Sequence, residues 1–570
     1  MKKQNLALAV SAALVLSACG GSSNKDKNTA PTDISVSAMK VDENMPGATI
    51  GTLSATDANS GDSHTFSVEG DMFVVEGNTL KLAPKKSANY EMAKTLKVKV
   101  TAKDKAGLSF SKDLTISVND LLDTYTFKSK LVEDKSSVSY SGQTARHVLI
   151  AELNKFIGTD LKQALKDGDL TTKQAVLDQL NKFFRTTEEQ YDNFPVTFTD
   201  KPLQENLVAI SSSHKNLVGK LAGNDATGQH KNWNNGDFEG WGAKGSKTPE
   251  TLVDMFFEQL ATNAEKQIKG EARVANETQQ PITEIYINED GTDLKQLIQK
   301  FLLMAITYSQ ATDDYLGHET DGKGLTTDNT KEAKAGKAYT NLEHQFDEGF
   351  GYFGAARDYL EYNDNEIAGK VKTAADGRAD WNGKHDTNKD GKIDLLSEIN
   401  YGQSVNAAKR DRGTKDNAKP TDFTKTTMEA FLAGRKIIND NVKSALTTEQ
   451  MTKLKAHRDV AVDGWERAIA ATVVHYINDS IADLDKLGTD DFKHADLAKH
   501  WSEMKGFALG LQFNPYSKIS DEQFAMIHEK MGTKPVLTVA ERDAYKAKLL
   551  EARNIIQQAL TFDADNVKNW

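Results

Sequence analysis

The sequence predicts a multidomain chain, with a small all-β sandwich followed by a large α-helical bundle. Between residues 31 and 123 apolar side chains recur at every second position, in short runs broken by Gly, Asn and Asp. From Tyr125 onward they recur at every third and fourth position, in long stripes. Only 10 prolines occur in 570 residues, which leaves long helices uninterrupted.

Residues 1–18 read as a signal peptide. Lys2 and Lys3 precede an apolar run from Leu6 to Leu16, which is about ten residues and far short of the roughly 20 that span a bilayer. The run ends in Leu16-Ser17-Ala18-Cys19, which resembles the bacterial lipobox. The resemblance implies cleavage before Cys19, acylation of its thiol and an N-terminal lipid anchor, whereas the alternative is a buried free cysteine. In lipoproteins a residue other than aspartate after the cysteine, here Gly20, implies sorting to the outer membrane, with its face left open. Residues 19–30 are small and polar, as in a flexible tether. Cys19 is the only cysteine, so no disulfide supports the fold, and packing and bound ions must do so. A net charge of −11 argues against a nucleic-acid partner, because phosphate binding draws on clustered positive charge.

In the first domain Ile34, Val36, Ile50, Phe66, Val68, Val98, Val100, Ile116 and Val118 mark the strands. Acidic and amide residues gather at the run ends: Glu43 and Asn44, Asp57 and Asn59, Glu91, Asp104, then Asn119, Asp120 and Asp123. Hard oxygen donors at loops suit calcium, although each is also an ordinary solvated turn residue. These five signatures in this order resemble a cadherin repeat. The resemblance implies a calcium site facing the next domain, formed by Glu43, Glu91, Asn119 and Asp120. Asp57, Asn59 and Asp104 would belong to the opposite, orphaned end. It also implies an adhesion or spacer role.

In the second domain, residues 124–570, apolar stripes predict helices through Leu252 to Leu260, Leu294 to Ala305, Tyr339 to Leu360, Phe423 to Leu446, Met451 to Leu487, Leu497 to Leu511 and Ala540 to Leu560. Within it, residues 386–398 match an EF-hand-like loop. Asp386, Asn388, Asp390, the Lys392 carbonyl and Asp394 alternate, with Gly391 at the sixth position for the sharp turn. The twelfth position is Ser397, and Glu398 falls one place late. Three aromatics, Trp233, Phe238 and Trp241, lie on a Gly/Asn-rich loop that either binds a glycan or partner or caps the bundle.

Two histidine motifs stand out. His344 shares a helix face with Asp347 and Glu348, and His500 lies three residues before Glu503. Joined across helices they could hold a transition metal; apart, they are buried hydrogen-bond networks. Glu466 and His475 are further candidates. With Ser141 to Arg146 and Asn406-Ala407-Ala408-Lys409-Arg410-Asp411, these motifs resemble an uncharacterised family of helical Gram-negative lipoproteins. More remotely they resemble imelysin-type proteins, which implies iron or zinc at His344, Asp347, Glu348, His500 and Glu503. No His-Glu-x-x-His helix or Gly-x-Ser-x-Gly elbow occurs, so the expectation is a non-enzymatic, calcium-binding envelope lipoprotein with a protein or cell-surface partner. The alternative is an iron- or haem-uptake protein, or an imelysin-like peptidase.

Overall fold

A computed structural model describes residues 27–570 apart from 44, 46, 85, 89, 91, 92, 120, 121 and 226–228. The chain divides into two compact units, Met1–Leu122 and Asp123–Trp570. The expected sandwich and helical bundle are both present.

The first unit has two four-stranded sheets. One runs β1 (Asp33–Val36), β3 (Thr49–Thr56), β6 (Thr79–Leu82) and β5 (Phe73–Glu76); the other runs β2 (Lys40–Asp42), β8 (Ser109–Asn119), β7 (Thr95–Asp104) and β4 (His64–Val68). All pairs are antiparallel except β2 with β8. Period two puts Ile34, Leu53, Leu80, Val98, Val100 and Ile116 inside, where they form one core. The β5–β6 hairpin is not among the runs read from sequence, although its signal is present. Glu76 pairs with Thr79 across Gly77-Asn78, and Gly77 takes φ +63° at the first turn position, as a two-residue hairpin requires. Gly51 is needed for space: a Cβ there would meet the backbone nitrogen of Ala38 at 2.9 Å, beside a register shift in β3.

The longer helices of the second unit are α1 (Ser141–Lys155), α2 (Lys173–Phe184), α3 (Pro249–Ile268), α4 (Leu294–Leu302), α5 (Asn341–Phe353), α6 (Gly402–Thr414), α7 (Phe423–Asp440), α8 (Thr448–Lys486), α9 (His494–Ala508), α10 (Asp521–Met531) and α11 (Val539–Leu560). Helix α8, 39 residues and about 58 Å long, packs against α6, α7, α9 and α11. The stripe expected to reach Leu360 stops at Phe353, because Gly354 turns left-handed at φ +84° and caps α5. Helix α4 continues as two π-helical stretches, Leu303–Tyr308 and Gln310–Tyr315, all buried. Helix α6 carries too few apolar residues to announce itself, and its burial comes from its neighbours.

At the centre Arg435 of α7 is wholly buried and pairs with two wholly buried carboxylates of α5, Asp347 at 2.7 Å and Glu343 at 2.9 Å. Asp347 also accepts from the Tyr125 hydroxyl at 3.0 Å and the Ser139 N–H at 2.9 Å, and Glu343 from Asn439 at 3.0 Å. Burial raises the Asp347 pKa, and Arg435 opposes that. Arg435→Met would strand two desolvated carboxylates, so it should cost about 3–5 kcal/mol in urea unfolding. A loss under about 1 kcal/mol, the range of an exposed pair, would refute this reading of the cluster.

Asp293, 2% exposed, caps α4 by accepting from the Gln296 N–H at 3.0 Å, and burial pushes its pKa up to about 7. A carboxyl whose folded pKa lies above its unfolded value binds more protons when folded, so its contribution to stability falls as pH rises between the two. Asp293→Asn keeps a capping oxygen. Between about pH 5 and pH 8 it should therefore gain stability relative to the wild type, measured as the difference in urea midpoint. An unchanged difference would place the Asp293 pKa in the ordinary range.

Candidate cation-binding sites

Among the described residues, one group of three or more His, Cys, Asp or Glu brings its ligand atoms within 4.8 Å of one another: Asp57, Asp62 and Asp104. It stands at one end of the sandwich. Asp57 follows β3, Asp62 lies in the β3–β4 loop and Asp104 closes β7. Each carboxylate accepts hydrogen bonds, Asp62 from the Ser63 N–H at 2.9 Å. Asp57 accepts from the Asn59 N–H at 2.9 Å and meets His64 Nε2 at 3.0 Å. Asp104 accepts from the N–H groups of Gly107 at 2.7 Å and Leu108 at 2.9 Å, and from the Asn28 amide at 2.7 Å. The Asn59 backbone N–H and His64 hold the Asp57 carboxyl below its ordinary pKa. For Asp104, burial works the other way, but hydrogen bonds from Asn28 and the β7–β8 turn outweigh it and the pKa is lowered. Both are ionised at neutral pH.

This geometry bears on three expectations. The compact acidic group is at the end expected to be orphaned, because Asp62 supplies a third carboxylate that the signatures omit. The stretch assigned to a free tether is pinned at its end: Asn28 bonds Asp104, while the Thr29 N–H and hydroxyl donate to Asn59 at 2.9 and 2.8 Å. At the other end, Glu43 is buried and accepts from the Tyr90 N–H at 2.6 Å, and Asn119 donates to Asp42 at 2.7 Å. Glu91 and Asp120, the other expected ligands there, lie outside the described residues, as does Cys19.

The loop at residues 386–398 has the backbone its spacing demands, with Lys389 at φ +61° and Gly391 at φ +85°. Asp386 accepts from the N–H groups of Asp390 at 3.1 Å and Gly391 at 2.8 Å; Asn388 accepts from that of Asp390 at 2.9 Å, and Asp390 from that of Lys392 at 2.8 Å. Ile393 is fastened on both sides, donating to Lys201 at 2.9 Å and accepting from Leu203 at 2.8 Å. Asp394 accepts from Gln204 at 2.7 Å. Glu398, buried, reaches back into the loop, its two oxygens on the N–H groups of Thr387 at 2.9 Å and Asp394 at 2.8 Å. The late carboxylate is thus in the loop, engaged with backbone donors.

The histidine motifs do not meet; each lies among different helices. Asp347 is committed to Arg435, and His344 bonds the Ser139 carbonyl at 2.9 Å and lies 3.9 Å from Glu348. Glu348 accepts from Gln143 at 2.8 Å. His500 of α9 instead faces α8, with Nδ1 2.7 Å from Asp483 and Nε2 3.9 Å from Asp479, which His475 approaches at 3.4 Å. Burial, then the charge of Arg410, pushes the His475 pKa down to about 3. A cationic neighbour of that kind opposes a divalent metal as it opposes a proton. Glu503 lies 3.4 Å from Lys300, and Glu466 accepts from Ser517 and Asn514. The expected set of His344, Asp347, Glu348, His500 and Glu503 therefore forms no single metal site, because Arg435, Gln143 and Lys300 occupy its carboxylates. Trp233 and Phe238 are each 1% exposed and pack on Phe513, so this part of the loop caps the bundle.

A family profile described as "Domain of unknown function (DUF4856)" matches residues 123–386. No curated protein matches the chain. Among solved structures, human protocadherin-24 EC1-2 is similar at 20% identity and a TM-score of 0.16, covering 20% of this chain and 65% of that one. A second crystal form of it gives 23% identity, a TM-score of 0.15, and 20% and 56% coverage. The protocadherin GammaB4 extracellular domain gives 23% identity, a TM-score of 0.15, and 20% and 19% coverage. The chain spans less than two thirds of the length of each of these structures.

Proposed function

We propose that the chain is a calcium-binding, lipid-anchored protein of the cell envelope, in which the sandwich is an adhesion or spacer module and the helical unit is a ligand-binding body. The group Asp57, Asp62 and Asp104 carries this reading. Three carboxylates so close repel one another, and a hard dication relieves that repulsion while taking oxygen ligands. The donors are oxygens, with His64 turned to Asp57, which favours calcium over softer metals. The loop at residues 386–398 is the second proposed calcium site. The motif ending at Cys19 supports the lipid anchor and an outer-membrane location, with a protein or cell-surface partner. Transition-metal uptake and peptidase activity lose support, because the histidine motifs lie apart.

Calcium titration of chelator-stripped protein should show two classes of site. Asp62→Asn with Asp104→Asn should weaken one by at least about tenfold, and Asp386→Asn with Asp390→Asn the other, since affinity follows ligand charge. Absence of any saturable calcium binding would overturn the proposal. Cys19→Ser should release the protein from the membrane fraction without altering either titration.

A further inference from the structure

Four helices of the second unit line a cavity of about 180 Å³, open to solvent on one side, that no cation site above uses. Its lining comes from α1, from α4 and its continuation, from α6 and from α9. The lining is apolar at Ile150, Leu303, Val405 and Phe507 and cationic at Lys300 and Lys409, with the Lys300 ammonium 5.7 Å from the Phe507 ring centre. No carboxylate lines it. His147, also in the wall, adds no charge, because burial pushes its pKa down to about 4.

The two ammonium groups are unequal. Lys300 has Glu503 at 3.4 Å and the Gln299 oxygen at 2.7 Å. Lys409 has no hydrogen bond or ion pair among the described residues, and burial together with the charge of Lys300 lowers its pKa to about 8. A half-buried cation without a partner, repelled by a second cation at the same cavity, is a costly arrangement that an anion between them would relieve. The space itself depends on Gly402, where a Cβ would press on His147 at 3.2 Å and Leu303 at 3.3 Å.

We infer that this cavity binds a small organic anion, its carboxylate or phosphate group held by Lys409 and Lys300 and its apolar body against Leu303, Val405 and Phe507. The volume suits the class: a dry cavity of about 150 Å³ accommodates benzene. The lining also unites sequence segments that otherwise look unrelated, since Asn406 to Asp411 supplies Lys409 and the helix of His500 supplies Phe507. The inference deepens the proposal that the helical unit binds a ligand. It does not depend on calcium, so it is tested without it.

The probes are benzoate, inorganic phosphate and the neutral benzamide, titrated calorimetrically into the full chain in chelator. One benzoate should bind per chain, with benzamide much weaker and with proton uptake near pH 8 as the anion raises the Lys409 pKa. Lys409→Met should weaken benzoate by about tenfold or more, as loss of a charged hydrogen bond does, while Lys409→Arg retains it. Thermal melting of both variants checks that they fold. Phosphate binding with the same dependence on Lys409, and no benzoate binding, would support the anion site but show that it takes a free oxyanion, overturning the organic body. Binding of neither anion, or binding indifferent to Lys409→Met, would overturn the inference altogether.

Discussion

The helical unit depends on one desolvated cation. Arg435 has no access to water, and its guanidinium is satisfied by Asp347, Glu343 and Ser137. Those partners bring with them Tyr125, Ser139 and Asn439. One side chain therefore fixes the entry of the chain into the bundle, the segment before α1, the face of α5 and the end of α7. Such a network specifies an arrangement more than it adds stability, because each charge costs solvation that the pairing only offsets. It also explains why Asp347 is unavailable as a metal ligand: its two oxygens take up donors from three separate parts of the chain.

The same logic, read at the surface, separates the two cation candidates. At the sandwich end the carboxylates accept from backbone N–H groups, the Asn28 amide and one histidine, and among the described residues no Lys or Arg pairs with them, so their mutual repulsion is only partly offset. In the loop at residues 386–398 the acceptors are spread along a turn, and Glu398 is engaged by three backbone donors. The first site is short of positive charge as it stands, whereas the second must exchange some existing hydrogen bonds for an ion.

Much of the architecture was legible in the sequence, and what was missed shares a physical cause. Alternation along β7 and β8, and stripes along α3, α4, α7 and α8, record which face meets the core, which is a local property of the chain. The loop at residues 386–398 was legible because its chemistry sits at fixed short spacing. The pairing of Arg435 with Asp347, 88 residues apart, leaves no such trace. Neither does the choice of His500 to face Asp483 rather than His344. Asp62 lay within reach of a reading, five residues from Asp57 in the same loop, but only the fold shows that the loop turns it toward Asp104. Helix α6 was missed because its contribution is polar: Lys409 and Asn406 matter for the cavity they face, not for a hydrophobic stripe.

The parallel pairing of β2 with β8 has a mechanical consequence. Lys40, Val41 and Asp42 lie beside Ser117, Val118 and Asn119, so the second strand of the sandwich and the strand that leaves it run side by side in the same direction. A pull on the start of β2 against the end of β8 draws these strands past each other along their length. The bonds between them are then loaded together in shear, where an antiparallel terminal pair would peel open one bond at a time. A pair wired in this way resists such a pull with all its bonds at once.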